Sequence, residues 1–291
     1  MADRKAQDMK WRYLEEKVFQ GLMIAATLLA ALVLLIILGT ILFKGAKALS
    51  LEMLFRLPKG GYYLGREGGI LNAIVGSLQL AGGATLLALT ISLPIVFYLN
   101  YFTRPRSLWP IITRFSLDVL WGVPSIVYGA FGFLLMTWLD LKASLLLGII
   151  TLAFLEIPIM GRAMDEVFKL VPRDLLDASF SLGATRWETA WKVVLRQTLP
   201  GIVTAILIAF GRAIGDAASV LLTAGYTDNL TTSLFQPVAS LPLAIFFQLG
   251  TPYPEVQQRA YAAAIILTLI ILAVSFVSRR IARHYSRHLV L

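Results

Sequence analysis

No charged side chain occurs from position 18 to 43 or from position 68 to 103. A bilayer's hydrocarbon core is spanned by about 20 apolar residues in a helix. Backbone groups find no water there, so a chain built from such runs folds as a bundle of membrane-spanning helices. The composition agrees: 58% of the 291 residues are hydrophobic and 15% are charged, against about 25% charged in soluble domains. The net charge of +9 does not point to nucleic acid, because Lys and Arg gather at the ends of the apolar runs, as membrane topology requires. Cysteine is absent, which excludes disulfides, thiolate catalysis and Cys-ligated metal.

Six spans fit the pattern, at about 18–43, 70–102, 111–139, 143–160, 201–226 and 260–277. The first is too long for a signal-peptide core, and no small-residue cleavage site closes it. It reads as a retained helix after a basic N-terminal tail at 1–17. The distribution of Lys and Arg over the loops places both termini, including the tail at 278–291, and the polar stretch 166–200 in the cytoplasm. One segment runs against this rule: 44–69, on the outer side, carries Lys44, Lys47, Arg56, Lys59 and Arg66. It reads as a loop with an amphipathic start. Residues 227–258 hold four prolines around the apolar run 241–249, too short to span and suited to a re-entrant or interfacial helix.

The longest polar interruption of the second half is PRDLLDASFSLGATRWETAWKVVLRQTLP, 172–200. It predicts two short amphipathic helices. Gly183 suits the left-handed position after the first. Thr185 with Glu188 reads as a capping box opening the second, which carries Trp187, Ala190, Trp191, Val194 and Leu195 at three-to-four spacing. Pro200 is expected to break or kink the chain. The hairpin leaves an apolar face that something must cover.

An ionisable group inside a span costs roughly 2.5–3.5 kcal/mol at mid-bilayer. Asp118 and Glu156 read as interfacial carboxylates close to Arg114 and Arg162. Arg212 and Asp216 lie four apart, on one face of the fifth helix. Gly211 and Gly215 flank them at a spacing that lets a neighbouring helix approach. The pair reads either as a buried ion pair or as the lining of an anion path, since a guanidinium stays charged and its fork of donors matches an oxyanion. No phosphate-binding G-x-x-x-x-G-K-[ST] loop occurs, and no metal-ligand spacing. The only histidines, His284 and His288, fall in the tail. Catalysis is therefore not expected of this chain.

Asp177-Ala178-Ser179-x-x-x-Gly183, followed by Leu199-Pro200, resembles the E-A-A-x-x-x-G…L-P loop of bacterial ABC importer permeases. Asp stands for Glu and Ser for the second Ala, and Arg196 occupies a place often taken by Pro. GGILNAIVGSLQLAG (68–82), GVPSIVYGAFG (122–132), VPRDLLDASFSLGATRWETAWKVVL (171–195), GRAIGDAASVLLTAG (211–225) and QPVASLPLAIF (236–246) are similar to the PstA-type phosphate-transport permease family, over most of 68–285. Where that family reads G-R-A-x-G-E-T-A-P, Arg212 matches the Arg, Asp216 takes the Glu position, and Ala217-Ala218-Ser219 depart from the pattern.

The resemblance implies an all-α, six-helix permease of the type I ABC importer kind, a single membrane domain over 18–285 in a bacterial or archaeal plasma membrane. It implies that Asp177, Ala178, Ser179, Leu182, Gly183 and Ala184 meet a cytoplasmic ATPase, covering the apolar face. It implies that Arg212 and Asp216 line the phosphate path. The expected partners are a second, PstC-type permease, a PstB-type ATPase dimer that holds ATP and Mg, and an extracytoplasmic PstS-type binding protein. This chain is expected to bind no cofactor and no metal. Readings left open are an ABC permease for phosphonate, sulfate or molybdate, a secondary anion transporter, and an intramembrane enzyme.

Overall fold

The computed structural model describes residues 2–59, 67–104 and 107–285. In chain order the elements are α1 (Ala2–Gly45), α2 (Leu51–Phe55), β1 (Pro58–Lys59), β2 (Glu67–Gly68), α3 (Leu71–Phe97), α4 (Trp109–Trp121), α5 (Ser125–Trp138), α6 (Leu145–Lys169), α7 (Arg173–Ser181), α8 (Arg186–Glu188), α9 (Leu195–Ile214), α10 (Leu241–Leu249) and α11 (Pro254–Tyr285). A π-helical turn, Tyr98–Phe102, extends α3, and a second, Thr189–Val194, joins α8 to α9. Five helices are long and apolar enough to cross a membrane, and α4 with α5 form a sixth, bent by 101°.

That bent pair replaces the straight span expected at 111–139. Gly122 caps α4 and Pro124 caps the start of α5. A residue before proline is pushed out of the helical region, so the helix cannot run through Val123. The pair still carries the chain from one end of the bundle to the other. Arg114 of α4 reaches Asp165 near the end of α6, and Gly132 of α5 abuts Thr151 near its start. Helices α3 and α6 run parallel, as Thr85 meeting Glu156 and Asn100 meeting Asp165 require. Parallel neighbours need an odd number of crossings between them, which the bent pair supplies.

Two other boundaries differ from expectation. The fourth span does not end near 160. Ser144 caps its start, and it continues to Lys169 because its late charges pair with one another. The fifth span ends at Ile214 and not near 226, and residues 215–240 have no regular helix. Pro200 breaks nothing: it lies inside α9, which continues without interruption from α8 through the π turn. His288 lies outside the described residues.

The non-helical stretch is largely covered over 216–228 and 238–240, with Val220, Ala224 and Val238 in the core beside Leu80, Leu152 and Ala213, while most of 229–237 is exposed. Its backbone is satisfied by neighbouring elements. Ser77 accepts from the Leu241 amide at 2.8 Å, Asn72 donates to the Thr227 carbonyl at 2.7 Å, and Gln79 donates to the Thr231 carbonyl at 3.1 Å. The first amides of α6, which have no partner inside their own helix, donate outward: Leu145 to Gln236 and Leu146 to Leu234, both at 2.8 Å. Gly76 lets this stretch lie against α3, since a Cβ there would overlap the Ala239 carbonyl. The short helix α10, expected over 241–249, follows and is N-capped by Ser240.

At the opposite end the bundle is locked by Asp165, whose side chain is fully buried. Arg114 grips both its oxygens at 2.9 Å. Lys169 approaches at 2.8 Å, Arg162 at 3.2 Å, and Asn100 donates at 2.8 Å. Removing one member of such a network leaves charges uncompensated. We therefore expect Asp165→Ala to lower unfolding stability by about 3–5 kcal/mol, read as a large fall in melting temperature in detergent. Glu166→Gln, at an exposed neighbour, is expected to change it by less than about 0.5 kcal/mol.

Candidate functional site

Arg212 sits in the last turn of α9, and Asp216 lies just beyond it. The two therefore do not share a helical face, as their spacing predicts; Gly215 closes the helix and turns the chain first. They still meet, with Arg212 Nη1 3.5 Å from Asp216 Oδ1. Asp216 is anchored: its Oδ2 accepts the Ser219 backbone amide at 2.9 Å, a local side-chain cap that holds the turn. Asp216 is buried, whereas the Arg212 side chain is 50% exposed. Ile208, Arg212 and Gly215 form an exposed stripe along α9. Gly211 has no neighbour of this chain within reach of a Cβ, and Gly215 makes only an ordinary contact with Ile271 at 3.7 Å. Neither glycine is needed for packing inside this chain.

The other intramembrane charges part company. Asp118 does pair with Arg162, at 2.6 Å. Glu156 has no arginine partner. It is fully buried at the middle of α6, and its Oε2 accepts from the Thr85 hydroxyl of α3 at 2.9 Å. The expectation fails because the helical register turns Glu156 into the α3–α6 interface, while Arg162 lies nearly two turns further on. Asp165 was not singled out by sequence reasoning. Its signal was Arg162, Asp165, Glu166 and Lys169 at three-to-four spacing, the pattern of paired charges on one helical face.

The polar hairpin is present, and its two faces differ. Thr185 and Glu188 form the expected capping box, and Gly183 has φ of +83°, a conformation that costs glycine little. On the inner face Leu176 joins the core of Phe97, Phe168, Ala190 and Val194. The Ser179 hydroxyl lies 2.9 Å from that of Thr189 and so ties α7 to the bundle. On the outer face Asp177, Ala178 and Gly183 are exposed, Leu182 is 89% exposed, and Ala184 is partly covered. Trp187 and Trp191 stack at 5.7 Å and wall an apolar groove of 640 Å³ with Leu93, Pro94 and Phe102. Among the described residues, no group of three or more His, Asp or Glu side chains is placed to hold a metal ion.

Residues 92–290 match the family of binding-protein-dependent transport system inner membrane components. The chain is 31% identical to the phosphate transport system permease protein PstA of Haemophilus influenzae, over 94% of this chain and 96% of that one. It is 31% identical to PstA of Yersinia pestis, over 96% and 94%. It is 35% identical to PstA 1 of Mycobacterium tuberculosis, over 74% and 70%. A subunit of a bacterial alginate ABC transporter superposes with a TM-score of 0.63 over 94% of this chain and 99% of that one, at 13% identity. A chain of the MetNI methionine ABC transporter does so at 0.59, over 74% and 95%, at 20% identity. These likenesses show the fold of an ABC importer permease, and the family places the chain in an inner membrane as a multi-pass component. A permease component is not itself the ATPase, and its family implies an ATPase and a binding protein as partners. The chain belongs to the binding-protein-dependent transport permease family and, within it, to the PstA permeases.

Proposed function

We propose that this chain is the permease subunit of an ATP-driven importer of inorganic phosphate. The observation that carries the reading is Arg212: a guanidinium held half-exposed on a stripe of α9 that the chain's own helices leave uncovered. A charge so placed in a span faces water or protein, because lipid would not tolerate it. A second permease of the PstC type covers that stripe, with Gly211 and Gly215 allowing its close approach, and phosphate passes between the two. The PstA relatives, named as phosphate transport proteins, support this anion over sulfate, phosphonate or molybdate.

In this reading Asp216 is a fixed counter-ion. Its second oxygen is committed to Ser219, so it cannot follow Arg212 toward an arriving anion. Phosphate therefore exchanges with Asp216 for the guanidinium fork. Both termini and α7 face the cytoplasm, which puts 44–59, α2 and α10 at the outer face. The outer face of α7, with Asp177, Ala178 and Leu182, docks on a PstB-type ATPase dimer, where ATP and Mg are held. A PstS-type protein delivers phosphate from outside.

Two outcomes test this. Arg212→Ala is expected to lower ATP-dependent phosphate uptake into vesicles by roughly ten- to hundredfold, the loss of a hydrogen bond to a charged group, with complex assembly intact. Arg212→Lys keeps the charge without the fork and should retain a fraction of the flux. Unchanged uptake in Arg212→Ala, or equal uptake of sulfate by the unaltered complex, would remove the phosphate path from this residue. Separately, Leu182→Asp is expected to reduce co-purification of the ATPase while leaving the melting temperature of the permease unchanged, because Leu182 touches little of its own chain. Full ATPase recovery with that variant would place the docking surface elsewhere.

A further inference from the structure

The segment 44–59 with 67–69 is a folded cap, and it concentrates positive charge where membrane topology disfavours it. Ser50 caps α2, accepting from the Met53 amide at 3.1 Å, and Met53 is buried among Ile70, Ala73, Ala262 and Ala263. The chain then returns through the antiparallel pair that sets Pro58 opposite Gly68 and Lys59 opposite Glu67. The Ile70 amide donates to the Met53 carbonyl at 2.8 Å and the Leu71 amide to the Arg56 carbonyl at 3.2 Å. A Cβ on Gly69 would overlap the Arg56 carbonyl, so the returning strand lies directly on the turn that carries Arg56. This frame fixes the backbone of Arg56 and Lys59 to the start of α3.

Between the cap and the first turns of α11 is a cavity of 410 Å³. Arg56, Lys59 and Arg259 line it, with Ser50 and Glu52. Glu52 is bridged to Arg56 at 2.7 Å, and among the described residues the lining holds three cationic side chains and one carboxylate. Lys44 and Lys47 flank a second cavity beside it on α11, which adds to the local potential. A concave site with excess positive charge draws and holds anions. Lys and Arg with a hydroxyl are the donors that suit tetrahedral oxygens.

We propose that this cavity is a binding site for a phosphoryl oxyanion, separate from Arg212 and at the opposite end of α3 from the α7 hairpin. Its place on the outer face rests on the orientation given under Proposed function; the site itself rests on its lining. The same chemistry is offered by inorganic phosphate waiting to enter and by the headgroup of an anionic lipid.

The test uses the full-length chain in nanodiscs of phosphatidylcholine, with or without phosphatidylglycerol, and the double variant Arg56→Gln/Lys59→Gln. One arm measures saturable binding of radiolabelled inorganic phosphate in phosphatidylcholine; the other measures retention of phosphatidylglycerol after exchange into the neutral lipid. At least one is expected to weaken by about tenfold or more in the double variant, and the lipid arm, which does not involve Arg212, to be unchanged in Arg212→Ala. Lys59→Arg is expected to retain it, which separates charge from folding. Phosphate binding lost in Arg212→Ala and intact in the double variant would overturn the site while leaving the path reading standing. So would both arms being indifferent to Arg56 and Lys59. If the double variant lost only its association with an acidic binding protein, with both oxyanion arms unchanged, the cavity would be a protein contact and the proposal would fall.

Discussion

The bundle depends on satisfying a stretch of backbone that is not helical yet lies inside it. Residues 215–240 follow a spanning helix, and 216–228 with 238–240 are largely covered by the bundle, packed against α3 and α6. Irregular backbone at membrane depth survives only where protein covers it, and each uncovered amide or carbonyl costs several kcal/mol. Ser77, Asn72 and Gln79 on one side of α3, together with the opening amides of α6, are the groups that meet this demand. They explain why a helix as apolar as α3 carries three polar side chains along one end. The stretch begins where α9 ends, at Ile214 with Gly215 as its cap, and that end sets where Arg212 and Asp216 stand. The candidate path is a by-product of that accommodation: Asp216 is held by the turn and Arg212 by the helix, and the two approach across the boundary.

Much of this was legible in the chain. The spans followed from charge-free runs, α10 from an apolar run too short to cross, and the capping box from Thr185 and Glu188. The pairing of Arg212 with Asp216 was also readable, but its geometry was not. Spacing of four implies a shared helical face only while the helix lasts, and nothing in GRAIGDAAS marks Ile214 as its end except Gly215, which an intramembrane helix often tolerates. The bend at Gly122–Pro124 was hidden for a similar reason. An apolar run reads as one span whether it is straight or turned by 101°, because hydropathy records burial in lipid and not direction. Pro200 misled in the opposite sense. Neighbouring elements can take up the hydrogen bond that a proline removes within a membrane helix, so it does not have to end one.

The ion cluster around Asp165 was missed because sequence reasoning weighs each charge against a presumed depth. Three cations converge on one buried carboxylate only after α3, α4 and α6 are packed together. Arg114 and Asp165 are 51 positions apart, beyond what local spacing reports. Glu156 shows the reverse error. Arg162 is near in sequence, but the helix turns Glu156 toward Thr85, and rotation about the helix axis outweighs proximity along it.

The hairpin and the arginine are joined by one stiff element, which bears on the proposed coupling. From Arg186 to Ile214 the chain is helical throughout, 29 residues including the π turn, or about 40 Å at 1.5 Å per residue. The elbow below it is not free to swing alone. Leu176 is seated in the core, and Ser179 is tied to Thr189 at the first π-helical residue. A push on the exposed face of α7 is therefore delivered to the base of the same rod that holds Arg212 at its far end. Asp216 is tied to the end of that rod by its backbone amide, which donates to the Ala213 carbonyl at 3.1 Å, while its carboxylate is capped by Ser219 within the turn that follows. A change in the geometry of that turn alters the 3.5 Å separation between guanidinium and carboxylate. In the proposed coupling, motion at the hairpin would reach that turn through α9 and change how many of the arginine's donors are available to an anion.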